Sequence, residues 1–197
     1  TDRQQLWFNF SQGFEIPDPA KYYGAGTYQL VDGHYRLLNS VNMNELKLDG
    51  VKVNAYELGW RYTGDNLRTQ IAGYYSLSDK TIKINKSDMS IIVDEGKRRI
   101  YGVEGQVDYF FTDSEWSTGA NFNAIKSETQ VEGKWEKLTI DSASPSKVSA
   151  WINWAPGDWT LRLQSTQTFD LSDADGKRIN GYNTVDMLGS YALPVGK

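Results

Sequence analysis

The stretch that decides the fold is Tyr56-Glu57-Leu58-Gly59-Trp60-Arg61-Tyr62, in which bulky apolar residues alternate strictly with charged residues or glycine. Successive side chains of a β-strand point to opposite faces, so this stretch predicts a strand with one aromatic and aliphatic face. The other face of the predicted strand carries Glu57, Gly59 and Arg61. Such a strand separates a hydrophobic environment from a hydrated one.

The same alternation recurs along the chain and predicts about eight strands in all. Trp7 is an exception, because it falls on the polar side of the first strand. The eight segments are residues 5–11, 56–62, 67–77, 101–111, 116–124, 148–154, 159–164 and 185–191. The polar faces carry charged residues within the predicted strands: Glu57, Arg61, Arg68, Glu104, Asp108, Arg162 and Asp186.

Composition supports β structure and excludes several function classes. Aromatic residues make up 13% of the chain, with 18 Gly and only 5 Pro, a mixture that favours strands over helices. The formal net charge of -4 gives no general attraction for nucleic acid, and the absence of Cys excludes disulfides and thiolate metal sites. No apolar run approaches the roughly 20 residues that a membrane-spanning helix needs. No signal peptide opens the chain at Thr1, so we expect an exported protein to be a mature form or an internal fragment.

The connections between the predicted strands alternate between short and long. Tight turns are predicted at 63–66, 112–115 and 155–158, with another starting at 194–196, and long polar stretches at 13–53, 80–99, 128–146 and 169–181. Outer-membrane barrels have this asymmetry, with short periplasmic turns and long extracellular loops. Aromatic residues near the short turns match an interfacial girdle: Trp60, Tyr62, Tyr109, Phe111, Trp116, Trp154 and Trp159. The pattern therefore predicts an all-β, antiparallel transmembrane β-barrel segment.

The charged polar faces indicate the size of the barrel. An eight-stranded barrel has an interior that side chains fill, whereas much larger barrels hold water or a plug. The charges on the predicted inner faces favour about eight strands of a larger barrel with a wet or plugged lumen. Ion pairs across neighbouring strands of a small barrel are the alternative.

Four local patterns, in their order and spacing, resemble the C-terminal barrel of TonB-dependent siderophore receptors. They are Ser11-Gln12-Gly13-Phe14, Tyr56-Glu57-Leu58-Gly59, Gly102-Val103-Glu104 and Pro145-Ser146-Lys147. Two further segments are most similar to those family members that take up ferric aerobactin or a related hydroxamate-type chelate. These are Asp18-Pro19-Ala20-Lys21-Tyr22-Tyr23-Gly24 and Ala143-Ser144-Pro145-Ser146-Lys147.

The resemblance implies a barrel of about 22 strands with an N-terminal plug, and this chain has neither the plug nor enough strands. We therefore expect residues 1–197 to be a partial barrel domain that lacks the plug and the C-terminal strands. The implied function is uptake of a ferric siderophore at the bacterial outer membrane, energised by the TonB–ExbB–ExbD complex. Outer-membrane lipid, bacteriocins and phages are further implied partners. No covalent chemistry and no resident cofactor are implied, because the iron arrives already chelated.

The implied ligand is an anionic chelate, so its site should combine cations with aromatic surfaces. The candidate residues in the long connections are Lys21, Tyr22, Tyr23, Tyr35, Arg36, Arg98, Arg99, Lys134 and Trp135. Hydrated loop tips are the alternative interpretation of each one. His34 lies beside Tyr35 and has no cluster of partners, so we expect a solvated loop histidine rather than a metal ligand.

Other chemistries fit the sequence less well. Asp18, Asp94 and Glu95 suggest calcium, as does 173–176, but the last lacks the remaining ligands of an EF-hand loop and predicts a hairpin turn. The paired charges Glu57 with Arg61 and Glu104 with Asp108 are expected to contact neighbouring strands rather than act in catalysis. A soluble carbohydrate-binding β-sandwich, a porin and an enzyme barrel are the alternative functions. An enzyme barrel would need a histidine in its site, and the one His lies in a predicted loop.

Overall fold

The computed structural model describes residues 3–15, 26–40, 50–84, 91–94 and 96–193. Eight strands form the main path of one antiparallel sheet. They are β1 (Gln4–Glu15), β4 (Val51–Thr63), β5 (Leu67–Ser78), β8 (Arg98–Phe110), β9 (Trp116–Val131), β11 (Lys147–Trp154), β12 (Trp159–Thr168) and β15 (Tyr182–Tyr191). They match the eight predicted strands, in chain order from one edge to the other, so that prediction is confirmed.

Seven short strands lie in the long connections. These are β2 (Gly26–Val31), β3 (His34–Ser40), β6 (Thr81–Ile84), β7 (Ile91–Asp94), β10 (Lys134–Lys137), β13 (Leu171–Ser172) and β14 (Arg178–Ile179). β2 pairs with β3, β6 with β7 and β13 with β14, whereas β10 pairs with the end of β9.

These short strands within the long connections were not predicted from the sequence. The long strands run past the predicted boundaries: Glu15 pairs with Val51, and Arg99 pairs with Glu128. Polar residues do not prevent this, because a hairpin ribbon in water satisfies its backbone groups by pairing and leaves its side chains hydrated.

The register divides the sheet into an apolar face and a polar face. Directly opposed residues of antiparallel strands share a face. Leu58 lies opposite Phe8 and Gly73, which defines the apolar face, and the neighbouring Glu57 lies opposite Asn9 and Tyr74 on the polar face. Both faces continue without interruption from β1 to β15. Every charged residue predicted on a polar strand face lies on this polar face.

The apolar face is exposed rather than packed against another layer. Leu6 is 76% exposed, Leu58 61% and Met187 78%, and the buried apolar residues of the described chain are few: Val51, Ala72, Leu138 and Trp151. A β-sandwich would bury these side chains between two sheets. The alternative of a soluble sandwich is therefore wrong.

Two aromatic rows border the apolar face. The predicted row beside the short turns is confirmed, with a stacked pair of Trp116 and Trp154 at 5.7 Å and a tilted pair of Trp159 and Tyr191 at 4.8 Å. The second row lies toward the long connections and was not predicted. It places Phe10 opposite Tyr56, which lies opposite Tyr75 and then Tyr101 across successive strands.

Two hairpin turns in the long connections adopt left-handed backbone. Asp32 and Gly33 have φ of 51° and 79° between β2 and β3, and Glu132 and Gly133 have 49° and 81° between β9 and β10. Two successive positive φ values are typical of a type I′ hairpin turn, whose twist matches that of the strands. The short turns at 63–66, 112–115 and 155–158 are also confirmed, whereas 194–196 lies outside the described residues.

The described residues contain no helix that is long and apolar enough to cross a membrane.

Candidate ligand-binding site

Two tryptophan rings lie against glycines on the polar face, and each contacts at least one charged side chain of a neighbouring strand. Trp7 Nε1 donates a hydrogen bond to Glu57 Oε1 at 2.5 Å, and the Arg61 guanidinium lies 5.5 Å from the Trp7 ring centroid. Gly59 leaves space for this ring, because a Cβ there would lie 2.1 Å from Trp7 Cζ2. Glu57 and Arg61 therefore contact the neighbouring strand, as predicted, although through Trp7 rather than through an ion pair.

The second tryptophan is Trp151 on β11. The Arg162 guanidinium lies 4.5 Å from its ring centroid, and Arg162 Nε donates to Asn153 Oδ1 at 2.9 Å. A Cβ on Gly119 would lie 2.6 Å from the Trp151 ring. Within the described residues, the buried Trp151 Nε1 has no hydrogen-bond partner. Trp151 was not predicted, although its position among polar-face residues is the same signal that Trp7 gave.

Between the two tryptophans, amide and hydroxyl groups line the polar face. Gln70 lies opposite Gln106, which lies opposite Asn121 and then Ser149. These residues border a cleft of about 380 Å³ that Glu104 and Lys147 also line. The cleft offers hydrogen-bond donors and acceptors, together with one negative and one positive side chain. It therefore suits water or a polar ligand and not hydrocarbon.

Arg98 and Arg99 begin β8 and lie on opposite faces of the sheet. Arg98 lies opposite Ser78 and Thr129 on the polar face, and within the described chain its buried Nε has no hydrogen-bond partner. Arg99 lies on the apolar side, where its guanidinium bonds Glu128 Oε2 at 2.6 Å and stacks 4.1 Å from the Trp135 ring centroid. The structure therefore brings Arg99 and Trp135 together and keeps Arg98 apart from them.

The other candidate residues lie on separate hairpins. Tyr35 and Arg36 follow His34 on β3, and all three are exposed. Lys134 is exposed beside the turn of β9 and β10, opposite Val131, and faces the side of the ribbon away from Trp135. Lys21, Tyr22 and Tyr23 lie outside the described residues. Binding by any of these residues stays a prediction.

Two of the long connections contact each other. Lys137 Nζ donates to Ser172 Oγ at 3.1 Å, and Asp173 accepts from the Ile140 and Lys177 N–H groups at 3.5 and 2.9 Å. Gly176 has φ of 78°, and β13 and β14 flank it, so the predicted hairpin turn at 173–176 is confirmed. The Asp173 carboxylate thus accepts hydrogen bonds from backbone amides. Among the described residues, no group of three or more His, Asp or Glu could hold a metal ion.

Asp170 provides a pH-dependent contact in the same connection. Its carboxylate accepts a hydrogen bond from Gly181 N–H at 2.6 Å and contacts Arg178, and these contacts lower the pKa of Asp170 below its ordinary 3.8. A carboxyl with a lowered pKa stabilises the folded loop above its ordinary pKa, and this contribution is lost as the pH falls through the lowered value. We expect hydrogen exchange to show a protected Gly181 amide at neutral pH and faster opening well below pH 3.8.

An Asp170→Asn variant should lose most of this pH dependence, because it cannot change charge. Asp175→Asn is the control, since Asp175 lies exposed in the same hairpin connection. Retention of the wild-type pH dependence in Asp170→Asn would contradict the role of the carboxylate.

Comparison with known proteins identifies relatives across the whole chain. The family model "TonB dependent receptor-like, beta-barrel" matches residues 1–196. The ferric aerobactin receptor of Klebsiella pneumoniae is 61% identical over 197 residues, covering 100% of this chain and 27% of that receptor. The rhizobactin receptor of Rhizobium meliloti (strain 1021) is 38% identical over 191 residues, covering 97% of this chain and 26% of that receptor. The chain thus spans about a quarter of the length of these curated relatives.

Solved structures show the same fold at low sequence identity. The copper transporter OprC has a TM-score of 0.73 at 17% identity, over 99% of this chain and 30% of the transporter. The ferric citrate transporter FecA in its unliganded form has a TM-score of 0.64 at 18% identity, over 98% of this chain and 29% of the transporter. The eight-stranded sheet therefore corresponds to part of the wall of a larger barrel.

Proposed function

Because this chain belongs to the TonB-dependent receptor β-barrel family, we propose that it forms part of a receptor that takes up a ferric siderophore across the bacterial outer membrane. The observation that carries the proposal is the 61% identity with a ferric aerobactin receptor along the full 197 residues. We propose ferric aerobactin, or a related hydroxamate-type chelate, as the substrate. The curated relatives are receptors and not enzymes, and the segment lies in the outer membrane.

The two faces of the sheet suit this function. The apolar face meets hydrocarbon, and both aromatic rows lie where rings favour the membrane interface. The polar face then lines the lumen, where Trp7, Trp151 and the amide row present hydrogen-bonding groups to water or a plug. We propose that the plug and the remaining strands are supplied by other parts of a longer receptor, and that TonB–ExbB–ExbD energises transport through that plug.

Among the candidate residues, Arg98 has the arrangement best suited to an anionic chelate. It lies on the polar face at the end of β8 toward the long connections, and its buried Nε is unpartnered within the described residues. Arg99 is already engaged by Glu128 and Trp135 on the other face. We therefore propose that Arg98 contributes to capture from the lumen side, and that Tyr35, Arg36 and Lys134 contribute from the hairpins.

Uptake of radioactive iron tests the proposed substrate. The intact gene, expressed in an iron-starved strain that lacks its siderophore receptors, should restore uptake and growth with ferric aerobactin. The same strain without TonB is the control and should show no uptake. Restoration by unrelated chelates alone, or uptake that does not need TonB, would contradict the proposal.

Replacement of Arg98 tests the proposed contact. Since hydrogen bonds to charged groups contribute about 1.5–3 kcal/mol, Arg98→Gln in the intact receptor should raise the Kd for ferric aerobactin about tenfold or more. Lys177→Gln removes one exposed positive charge in the β13–β14 connection and should change the Kd by less than about twofold. Equal affinities of wild type and Arg98→Gln would remove Arg98 from the site.

A further inference from the structure

One cation on the apolar face has no partner in the described chain. Lys126 on β9 is exposed and lies opposite Tyr101, at the end of the row formed by Phe10, Tyr56 and Tyr75. Within the described residues its side chain makes no hydrogen bond or ion pair. A lysine in contact with hydrocarbon is costly unless it reaches the interface or an anionic group. The depth of Lys126 in the membrane therefore decides what it can bind.

The strand geometry places Lys126 at the boundary of the hydrocarbon. Trp116 of the turn-side aromatic row lies ten residues away on the same strand and face. At about 3.3 Å per residue and a tilt of about 40°, this separation spans about 25 Å along the membrane normal, which is the height of the apolar band of an outer-membrane barrel. Lys126 thus lies at the headgroup level of the leaflet beside the long connections.

The charges around Lys126 favour an anion. Arg99 also lies on this side of the sheet, where the side chains of Arg99 and Glu128 are only 26% and 19% exposed and form an ion pair. That pair leaves the positive charge of Lys126 uncompensated, so the group of three residues carries one net positive charge. Tyr101 and Trp135 flank it with aromatic rings that suit the interface.

An apolar groove runs from Lys126 toward the middle of the apolar face. Gly73 has no side chain to fill the space between Leu58 and Val103, and Ala124 fills little of the next position. The resulting groove has a volume of about 590 Å³ and is also lined by Phe8. A cation above an apolar groove at this depth matches a lipid, with a charged headgroup above an acyl chain.

We propose that Lys126 and the groove beside Gly73 bind one lipid of the leaflet next to the long connections. The lipid carries a phosphate headgroup that Lys126 contacts, and one of its acyl chains occupies the groove. The site is on the opposite face from Arg98 and does not depend on which chelate the receptor transports.

Lipid binding by the intact, delipidated receptor in detergent tests the site, with diphosphorylated lipid A as the probe. A lysine or arginine near an anionic lipid surface contributes about 1 kcal/mol, so Lys126→Gln should raise the Kd about fivefold, and Lys126→Arg should preserve it. Gly73→Leu should also weaken binding at least about fivefold by filling the groove. This leucine can be accommodated, because the nearest atom to a Cβ there is Gly102 O at 3.9 Å.

Lys147→Gln is the matched control. Lys147 is exposed and lies opposite Asn123 on the polar face, near the level of Lys126, so its loss should change the Kd by less than twofold. Dephosphorylated lipid A should bind wild type more weakly, and millimolar inorganic phosphate should not compete. Unchanged affinity in Lys126→Gln or Gly73→Leu would overturn the proposal, as would full competition by inorganic phosphate, which would indicate a site for a free anion.

Discussion

Replacing Ala120 with arginine is expected to lower the free energy of unfolding of the intact receptor barrel in lipid bilayers by about 2–4 kcal/mol. Ala120 lies on the apolar face of β9, opposite Val107 and Ala150, close to midway between Trp116 and Lys126. At this depth an arginine side chain reaches neither interface without distorting the bilayer. Urea unfolding in vesicles, followed by tryptophan fluorescence, measures the change.

Asn121→Arg is the matched control for Ala120→Arg. Asn121 is the next residue and lies on the polar face, where it is exposed opposite Gln106 and Ser149. An arginine there meets the hydrated lumen, so we expect a loss below about 1 kcal/mol. If the two variants were equally stable, the assignment of the two faces to lipid and lumen would be wrong.

Replacing Gly102 with valine is expected to destabilise the barrel by about 3 kcal/mol or more and to reduce its assembly in the membrane. A Cβ on Gly102 would lie 2.3 Å from the carbonyl oxygen of Ala124 and 2.6 Å from the Tyr74 hydroxyl. The carbonyl belongs to the neighbouring strand, so relief of this contact would require separating β8 from β9. The heat-modifiable mobility of the barrel in detergent gels and its urea midpoint measure the effect.

Gly73→Val separates this close approach from the general effect of losing a glycine. Gly73 lies on the neighbouring β5, and its Cβ would have only Gly102 O within 4 Å, at 3.9 Å. Valine also has a higher strand propensity than glycine, so Gly73→Val should assemble normally. Equal loss of assembly in both variants would show that the Ala124 carbonyl is not the cause.

Much of the fold could be predicted because strand patterning is local. In the stretch from Tyr56 to Tyr62, the polarity of each residue predicts which face of the strand it occupies. The structure confirms that assignment. The strands that were not predicted lie in the long connections, where β2, β3 and β10 form within polar segments. Hairpins in water need no apolar face, so hydrophobic periodicity carries no signal for them.

The sequence predicted which residue types the candidate site contains, but not which of them are neighbours. Arg98 and Arg99 are adjacent cations with the same chemistry in sequence, yet the register places Arg98 toward the lumen and pairs Arg99 with Glu128 and Trp135 on the other side. A shift of one residue in the pairing of β8 would exchange their roles. The roles of Tyr35, Arg36 and Lys134 in binding stay predictions.

By itself, the sequence determined that the chain forms about eight antiparallel strands with one face for hydrocarbon and one for water, because alternation is a property of each strand. Only the tertiary structure decided which side chains become neighbours: Trp7 with Glu57, Trp151 with Arg162, and Lys126 with the groove beside Gly73. These contacts join residues of different strands, and their geometry follows from the register and from glycines that let a ring approach the backbone or leave a groove open.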